Sequence, residues 1–370
     1  MTIILAIDAG TTGVRTLAVD EHGDVVSSSY KEFTQYFPEP GWVEHDAEEI
    51  WNSVQSTMTD VVATLSQPVA AIGITNQRET AVVWDRSTSL PLYRALVWQD
   101  RRTASRCADL ESEGLLPTVR KSTGLILDPY FSATKFEWIL NNMPTKNNLA
   151  FGTIDSWLVW KLTGGKVHAT DASNASRTML LDIDALEWDE DLLDVFGISD
   201  SYLPEIRASN GDYGFTSNDA SCGGGIPIRG IAGDQQASLF GHAAFSIGDA
   251  KNTYGTGSFV LMNVGEELPK PVDGLLSTVA WLLETSDSSA PTYALEGSIF
   301  STGSAVQWLR DGMGIISDVS ELEDLALGCS STGDVHLIPA FTGLGSPWWD
   351  PHARGLLIGI TRGTGRSEIA

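Results

Sequence analysis

Apolar positions open the chain in a tight run, Ile3 to Ile7, that gives way to the polar, glycine-bearing turn Asp8-Ala9-Gly10-Thr11-Thr12-Gly13. A second apolar stretch, Val14 to Asp20, leads to the turn Glu21-His22-Gly23-Asp24 and then to Val25-Val26. Short apolar runs separated by Gly, Thr and Asp read as three strands joined by tight turns. Over residues 47–66 the spacing changes. Ile50, Trp51, Val54, Met58, Val61, Val62 and Leu65 recur at three- and four-residue intervals and predict a helix with one apolar face. Asp46 is the expected N-cap, with Glu49 as its capping-box partner. Residues 69–75 and 80–85 then read as strands, with Asn76-Gln77-Arg78-Glu79 between them.

Candidate helices follow at 103–113, 132–142, 154–162 and 189–196. A glycine-rich loop, Cys222-Gly223-Gly224-Gly225, precedes a strand over 226–232 that ends in Gly233-Asp234-Gln235-Gln236, where a helix begins and runs to Gly241. After about residue 243 the opening pattern returns, as Lys251-Asn252-Thr253-Tyr254-Gly255-Thr256-Gly257-Ser258 leads into Phe259-Val260-Leu261-Met262. A helix over 303–310, strands over 335–341 and 354–361, and a polar tail complete the chain. Two segments that each open on a Gly/Thr hairpin predict two related α/β lobes around a cleft, 1–243 and 244–370, joined without a low-complexity linker.

The 370 residues exceed one ordinary core, and 42% hydrophobic content with 12 Trp and 12 Phe is ample for two. Acidic side chains number 48 against 23 basic ones, a net charge of −25, which repels nucleic acid and anionic lipid. The acid is spread along the chain. It fits an ordinary acidic cytosolic enzyme and, as the favoured reading, a surface suited to high salt. Cys107, Cys222 and Cys329 are few, odd in number and far apart, which fits a reducing compartment and gives no disulfide or metal framework. The chain's start lacks a basic region, and no stretch approaches the ~18–20 apolar residues of a membrane span, so a cytoplasmic location is expected. Asn174-Ala175-Ser176 matches a glycosylation sequon that is incidental in such a chain.

The turn from Asp8 to Gly13 offers consecutive backbone N–H groups and two hydroxyls, a nest for phosphate oxygens, or else it is a plain hairpin turn. Asp8 beside it is placed to hold Mg²⁺ through water, and Arg15 to reach a phosphate. Asp234 follows an apolar strand and a glycine. There a carboxylate can accept the proton of an alcohol attacking a γ-phosphate, or cap a helix, and the two roles are compatible. Arg78 and Glu79 read as a structural salt bridge or as a donor–acceptor pair for vicinal hydroxyls. Trp98 and Phe259 are core residues by residue type, or the wall along the carbon edge of a small polyol. The remaining tryptophans read as core.

These motifs resemble those of the glycerol kinases, members of the FGGY carbohydrate kinases in the hexokinase/actin/Hsp70-like superfamily. The resemblance rests on Asp8-Ala9-Gly10-Thr11-Thr12-Gly13-Val14-Arg15, Gly73-Ile74-Thr75-Asn76-Gln77-Arg78-Glu79-Thr80, Val97-Trp98-Gln99-Asp100-Arg101-Arg102 and Asp128-Pro129-Tyr130-Phe131. It continues through Asn174-Ala175-Ser176-Arg177-Thr178-Met179, Gly233-Asp234-Gln235-Gln236, Tyr254-Gly255-Thr256-Gly257 and Pro339-Ala340-Phe341-Thr342-Gly343-Leu344. It implies two ribonuclease H-like lobes of the actin/hexokinase type, and ATP-dependent phosphorylation of glycerol to sn-glycerol 3-phosphate in glycerol catabolism, with ATP and Mg²⁺.

By that resemblance Arg78, Glu79, Tyr130, Asp234 and Gln235 bind glycerol, with Trp98 and Phe259 as apolar wall and Asp234 as general base. Thr11, Thr12, Gly13, Arg15, Thr256, Gly303 and Gln307 contact the nucleotide, and a homo-oligomer is compatible with it. The family pattern continues past Ala370 through a Gly-rich adenosine loop, so an incomplete second lobe and a poor kinase are expected. The loop around Gly225 lacks the basic residue that binds fructose 1,6-bisphosphate in some relatives. The rival readings are another polyol or sugar kinase, which the Asn-Gln-Arg-Glu run disfavours, an actin-like nucleotide switch, and an inactive glycerol-binding fragment.

Overall fold

The computed structural model describes residues 2–143, 148–285 and 289–370. They form two compact units: Met1–Ala250, Met262–Pro271 and Leu276–Leu295 in the first, and Lys251–Leu261, Val272–Leu275 and Glu296–Ala370 in the second.

The first unit is built on a five-stranded sheet. Its strands are β1 (Ile3–Ala9), β2 (Gly13–Val19), β3 (Val25–Glu32), β4 (Val69–Asn76) and β5 (Ile228–Gly233), in the order β5-β4-β1-β2-β3. The β1–β2–β3 meander is antiparallel, while β4 and β5 run parallel to β1. Alternation along β1 sends Ile3, Leu5, Ile7 and Ala9 into one core with Ile50, Val54, Met58 and Val61 of helix α1 (Ala47–Val62). Burying each of the Ile, Leu, Val and Met side chains among them stabilises by roughly 1.5–3 kcal/mol relative to exposure. The same alternation places Asp8 on the other face of the sheet, where its register partners are Arg15 on β2 and Thr75 on β4. Helix α2 (Asp234–Gly241) follows β5.

Most sequence expectations are met to within a residue or two, and helices Ser132–Asn142 and Ile154–Leu162 have the expected limits. Several need correction. Helix α1 stops at Val62 rather than 66, and Ala63 caps it. Asp46 is its N-cap, accepting from the N–H of Glu48 at 2.9 Å, but Glu49 does not close a capping box. Its carboxylate instead accepts from Thr34 N at 3.0 Å and Tyr36 Oη at 2.6 Å, tying down an incoming loop. Asp189 is the N-cap of helix Glu190–Phe196, not its first residue. The strand expected over 80–85 is confined to Val82–Asp85, because Glu79 sits at φ 60° and breaks the extension before it. Trp348 is 71% exposed and is not a core residue.

In the second half of the chain a four-stranded sheet runs in the order β6-β7-β9-β8, from β6 (Ala250–Tyr254), β7 (Ser258–Gly265), β8 (Leu276–Leu282) and β9 (Pro291–Ile299). The expected Gly/Thr hairpin is the β6–β7 connection. The second unit adds helix α3 (Gly303–Asp311), helix Glu321–Leu327 and the antiparallel pair His336–Ile338 with Leu356–Ile358, shorter than the strands expected there. The tail forms a short helix, Arg366–Ile369. Among the described residues no helix is long and apolar enough to cross a membrane.

Candidate active site

Strands β4 and β5 are parallel neighbours with Asn76 opposite Gly233, so the chain leaves both at the same carboxyl edge of the sheet. That edge is where open α/β sheets place ligands. It gathers Gln77-Arg78-Glu79 and Asp234-Gln235-Gln236. Arg78 lies at the centre. Its Nη2 donates to Tyr130 Oη at 3.0 Å and its Nη1 to Gln236 Oε1 at 3.2 Å. Its Nε stands 3.5 Å from Asp234 Oδ1 and 3.7 Å from Glu79 Oε1. The side chains of Arg78 and Glu79 are each only 2% exposed, whereas that of Asp234 is 35% exposed. An exposed salt bridge is thus ruled out for Arg78 and Glu79, and Asp234 is the solvent-facing carboxylate of the group. Gly233 provides the N-cap of α2, so Asp234 is the first residue of that helix, with Oδ1 accepting from Gln235 N at 2.7 Å.

Burying ions costs several kcal/mol each unless they are paired. Glu79 meets that cost with a second cation: Arg177, fully buried, donates Nε–H to Glu79 Oε1 at 2.7 Å. The Arg177 guanidinium also stands 5.5 Å from the centre of the Tyr130 ring and 5.4 Å from that of Phe131. Tyr130 is held by its backbone. Its N–H donates to Asp128 Oδ1 at 2.8 Å, and Lys135 Nζ donates to its carbonyl at 2.5 Å. Burial pulls the Lys135 ammonium down to about 7. Trp98 meets Tyr130 edge to face at 5.8 Å and donates its indole N–H to Thr11 Oγ1 at 3.0 Å, which joins this cluster to the Gly/Thr turn. Gln235 is buried.

In the turn itself, Gly10 N donates to Gly13 O at 3.0 Å. Gly13 is required for a packing reason: a Cβ there would lie 2.6 Å from Tyr30 Oη and 2.8 Å from Lys31 O on β3. Thr12 and Arg15 are exposed, and Thr11 is half-buried. Burial raises the Asp8 carboxyl, and Arg15 pulls it the other way. Thr75 Oγ1, on the strand beside Asp8, is buried without a hydrogen-bond partner. Among the described residues no three His, Cys, Asp or Glu side chains cluster to cage a metal. One carboxylate beside the Gly/Thr turn would suit Mg²⁺, which keeps water and substrate oxygens as most of its ligands.

The second unit holds Thr256, Phe259, Gly303 and Gln307. The carbonyls of its Gly/Thr turn accept from the start of α3. Gly303 N donates to Gly255 O at 2.9 Å, and Thr302 N and Ser304 N donate to Thr256 O at 2.9 and 3.1 Å. Gly303 permits this approach, since a Cβ there would lie 2.5 Å from Gly255 O. Phe259 is buried and Gln307 exposed.

The sheet edge thus gathers a buried polar cluster around Arg78, with the Gly/Thr turn one hydrogen bond away through Trp98 and Thr11. The chain belongs to the FGGY family of carbohydrate kinases: the family's N-terminal domain matches residues 3–241 and its C-terminal domain residues 250–370. Its relatives include the glycerol kinase of Alcanivorax borkumensis, 54% identical over 100% of this chain and 75% of that protein. The glycerol kinase of Halothermothrix orenii is 51% identical over 99% of this chain and 74% of that protein. Among solved structures, Plasmodium falciparum glycerol kinase with ADP matches with a TM-score of 0.87 at 38% identity, over 100% of this chain and 75% of that one. Xylulose kinase from Lactobacillus acidophilus shares the fold, with a TM-score of 0.84 at 22% identity, over 100% of this chain and 74% of that one.

Sequence reasoning gave no role to Arg177 or Gln236. Arg177 had a signal, as a lone cation amid small and apolar residues needs a buried partner. Gln236 had none.

Proposed function

We propose that this chain transfers the γ-phosphoryl group of ATP to a terminal hydroxyl of glycerol. The observation that carries the reading is Arg78, buried among Asp234, Glu79 and Tyr130 at the sheet edge. A polyol with adjacent hydroxyls finds donors on Arg78 and Tyr130 and acceptors on Glu79 and Asp234, with Gln235 beside them. Trp98 takes the carbon edge, a role the family resemblance also gives to Phe259. Names and identities of the relatives favour glycerol over a larger sugar acid or ketose.

Asp234 is the general base in this proposal. It is the accessible carboxylate, and the adjacent Arg78 keeps a positive charge near the developing alkoxide. In this reading Thr11, Thr12, Gly13 and Arg15 contact the ATP phosphates, and Thr256, Gly303 and Gln307 are further nucleotide contacts. Mg²⁺, held through water by Asp8, would neutralise charge on the phosphates. Residues 1–243 thereby carry the acceptor and first phosphate site, and 244–370 part of the nucleotide site. The net charge of −25 suits a cytoplasmic protein in concentrated salt. The test is ADP release with glycerol, xylulose, gluconate or no acceptor. Glycerol-dependent release supports the reading. Release independent of acceptor, or preference for xylulose or gluconate, refutes it.

A further inference from the structure

The Gly10–Gly13 turn rests on a closed hydrogen-bond network that none of the roles above uses. Gln77 Nε2 donates to Gly10 O at 2.9 Å, and Gln35 Nε2 donates to Thr11 O at 2.9 Å. His45 stands between the two glutamines. It is fully buried, lies opposite Gln35 across a short antiparallel pair, and packs edge-on against Phe33 at 4.9 Å. Its Nε2 is 2.6 Å from Gln35 Oε1, and its Nδ1 is 3.3 Å from Gln77 Nε2.

These contacts fix every proton. Gln35 uses its amide N–H on Thr11 O, so its oxygen faces His45, and His45 must carry its proton on Nε2. Nδ1 is then an acceptor, filled by the second N–H of Gln77. The Gln77 oxygen in turn accepts from Thr80 Oγ1 at 2.9 Å. Reversing either amide would set oxygen against oxygen. Burial, which holds the imidazole down to about 3, keeps it in this neutral form.

In a trans peptide the C=O and the following N–H point in opposite directions. Pinning the carbonyls of Gly10 and Thr11 to protein therefore aims the N–H groups of Thr11 and Thr12 the other way. Among the described residues neither of those N–H groups donates to a protein acceptor. We infer that His45 is a positioning residue which, by locking the amides of Gln77 and Gln35, holds the Thr11 and Thr12 N–H donors aimed at a nucleotide phosphate. The inference rests on the ATP-binding reading of this turn and is independent of the acceptor.

Four variants test it. His45→Phe keeps the packing on Phe33 and removes both bonds. His45→Gln retains a donor toward Gln35, and His45→Asn an acceptor toward Gln77. Gln35→Met cuts the Thr11 arm and removes the acceptor of His45 Nε2, while the ring itself and its contact with Gln77 stay in place. ATP affinity is measured by titration without glycerol, glycerol affinity separately, folding by thermal melting, and turnover by steady-state kinetics. A misaimed nest is expected to lower kcat/KM for ATP about 10²-fold in His45→Phe. The decrease should be smaller in His45→Gln and His45→Asn, which restore one arm each, and glycerol affinity should hold throughout. Wild-type ATP affinity in His45→Phe overturns the inference, as does a parallel loss of ATP and glycerol binding. If His45→Phe does not fold, Gln35→Met decides on the same readouts. A wild-type chain that binds ATP but does not phosphorylate glycerol refutes the acceptor assignment alone, and the ATP titrations still decide the role of His45. A wild-type chain that binds no ATP overturns both.

Discussion

Gly233 and Arg78 compete for one volume: a Cβ on Gly233 would lie 2.8 Å from both Cγ and Cδ of Arg78. The glycine ending β5 is thus the space through which the Arg78 stem passes to bring its guanidinium beside Asp234. This contact joins the two loops of the cradle.

Asp234→Asn keeps the shape beside Arg78 but cannot take a proton. We expect glycerol affinity to change little and kcat to fall by ~10²–10⁴-fold. Steady-state kinetics with a glycerol titration check this, and an unchanged kcat removes Asp234 from the chemistry.

Arg177→Met leaves the Glu79 carboxylate buried without its 2.7 Å partner. Removing one member of a buried ion pair costs roughly 3–5 kcal/mol. Urea denaturation should register a loss of that order, with weaker glycerol binding. A variant as stable as the parent would show that Arg78 alone satisfies Glu79.

Much of this was legible from residues alone. Asp46 before an apolar 3-4 repeat fixes the start of α1, and two apolar runs that each end in polar, chemically loaded residues mark β4 and β5, but that the two strands lie side by side and parallel is visible only in the structure. Strands β8 and β9 were not legible. Six of the seven residues in β8 are buried, so neither a period of two nor one of 3.6 shows. Helix Leu116–Thr123 escaped because its two buried residues, Val119 and Thr123, make too thin an apolar stripe. The His45 network was hidden for another reason. Gln35, His45 and Gln77 are far apart in sequence, and only the sheet register brings them under one turn.

The stability of the first unit should depend on pH through His168. Its ring accepts from Arg86 Nη2 at 2.9 Å and lies 2.8 Å from Phe151 O, and burial pushes it down from 6.5 to about 4. The unfolded chain binds a proton that the folded chain refuses. This contribution is therefore complete above pH 6.5 and is lost as pH falls toward 4. Asp155, raised by burial to about 6, acts in the opposite sense but is common to parent and variant. The stability gap between the parent and His168→Gln should narrow between neutral pH and about pH 4.5. A gap constant with pH, by chemical denaturation, contradicts the assignment.

Fructose 1,6-bisphosphate should inhibit little. The loop before β5 offers glycines with φ of 96° at Gly223 and 82° at Gly225, and Arg229 nearby is already paired with Asp212. A bisphosphate needs uncommitted cationic donors. A dose–response curve with strong inhibition would show that this pair opens for the ligand.

Molar KCl should raise the melting temperature. A chain of −25 repels itself, and at 1 M salt the screening length falls to ~3 Å. A melting temperature that is flat or falling from low salt to molar KCl would place the repulsion elsewhere than in folding.

The second Gly/Thr turn spends its carbonyls on the first N–H groups of α3, and this has a mechanical consequence. Turn and helix are riveted together, so any displacement of Thr256 is inherited by Gln307 one turn along. A nucleotide bound as proposed, touching both, would meet one prefabricated part rather than a loop and a helix to be assembled around it. The ordering loss that normally accompanies each separate contact is incurred once, during folding, before any ligand arrives.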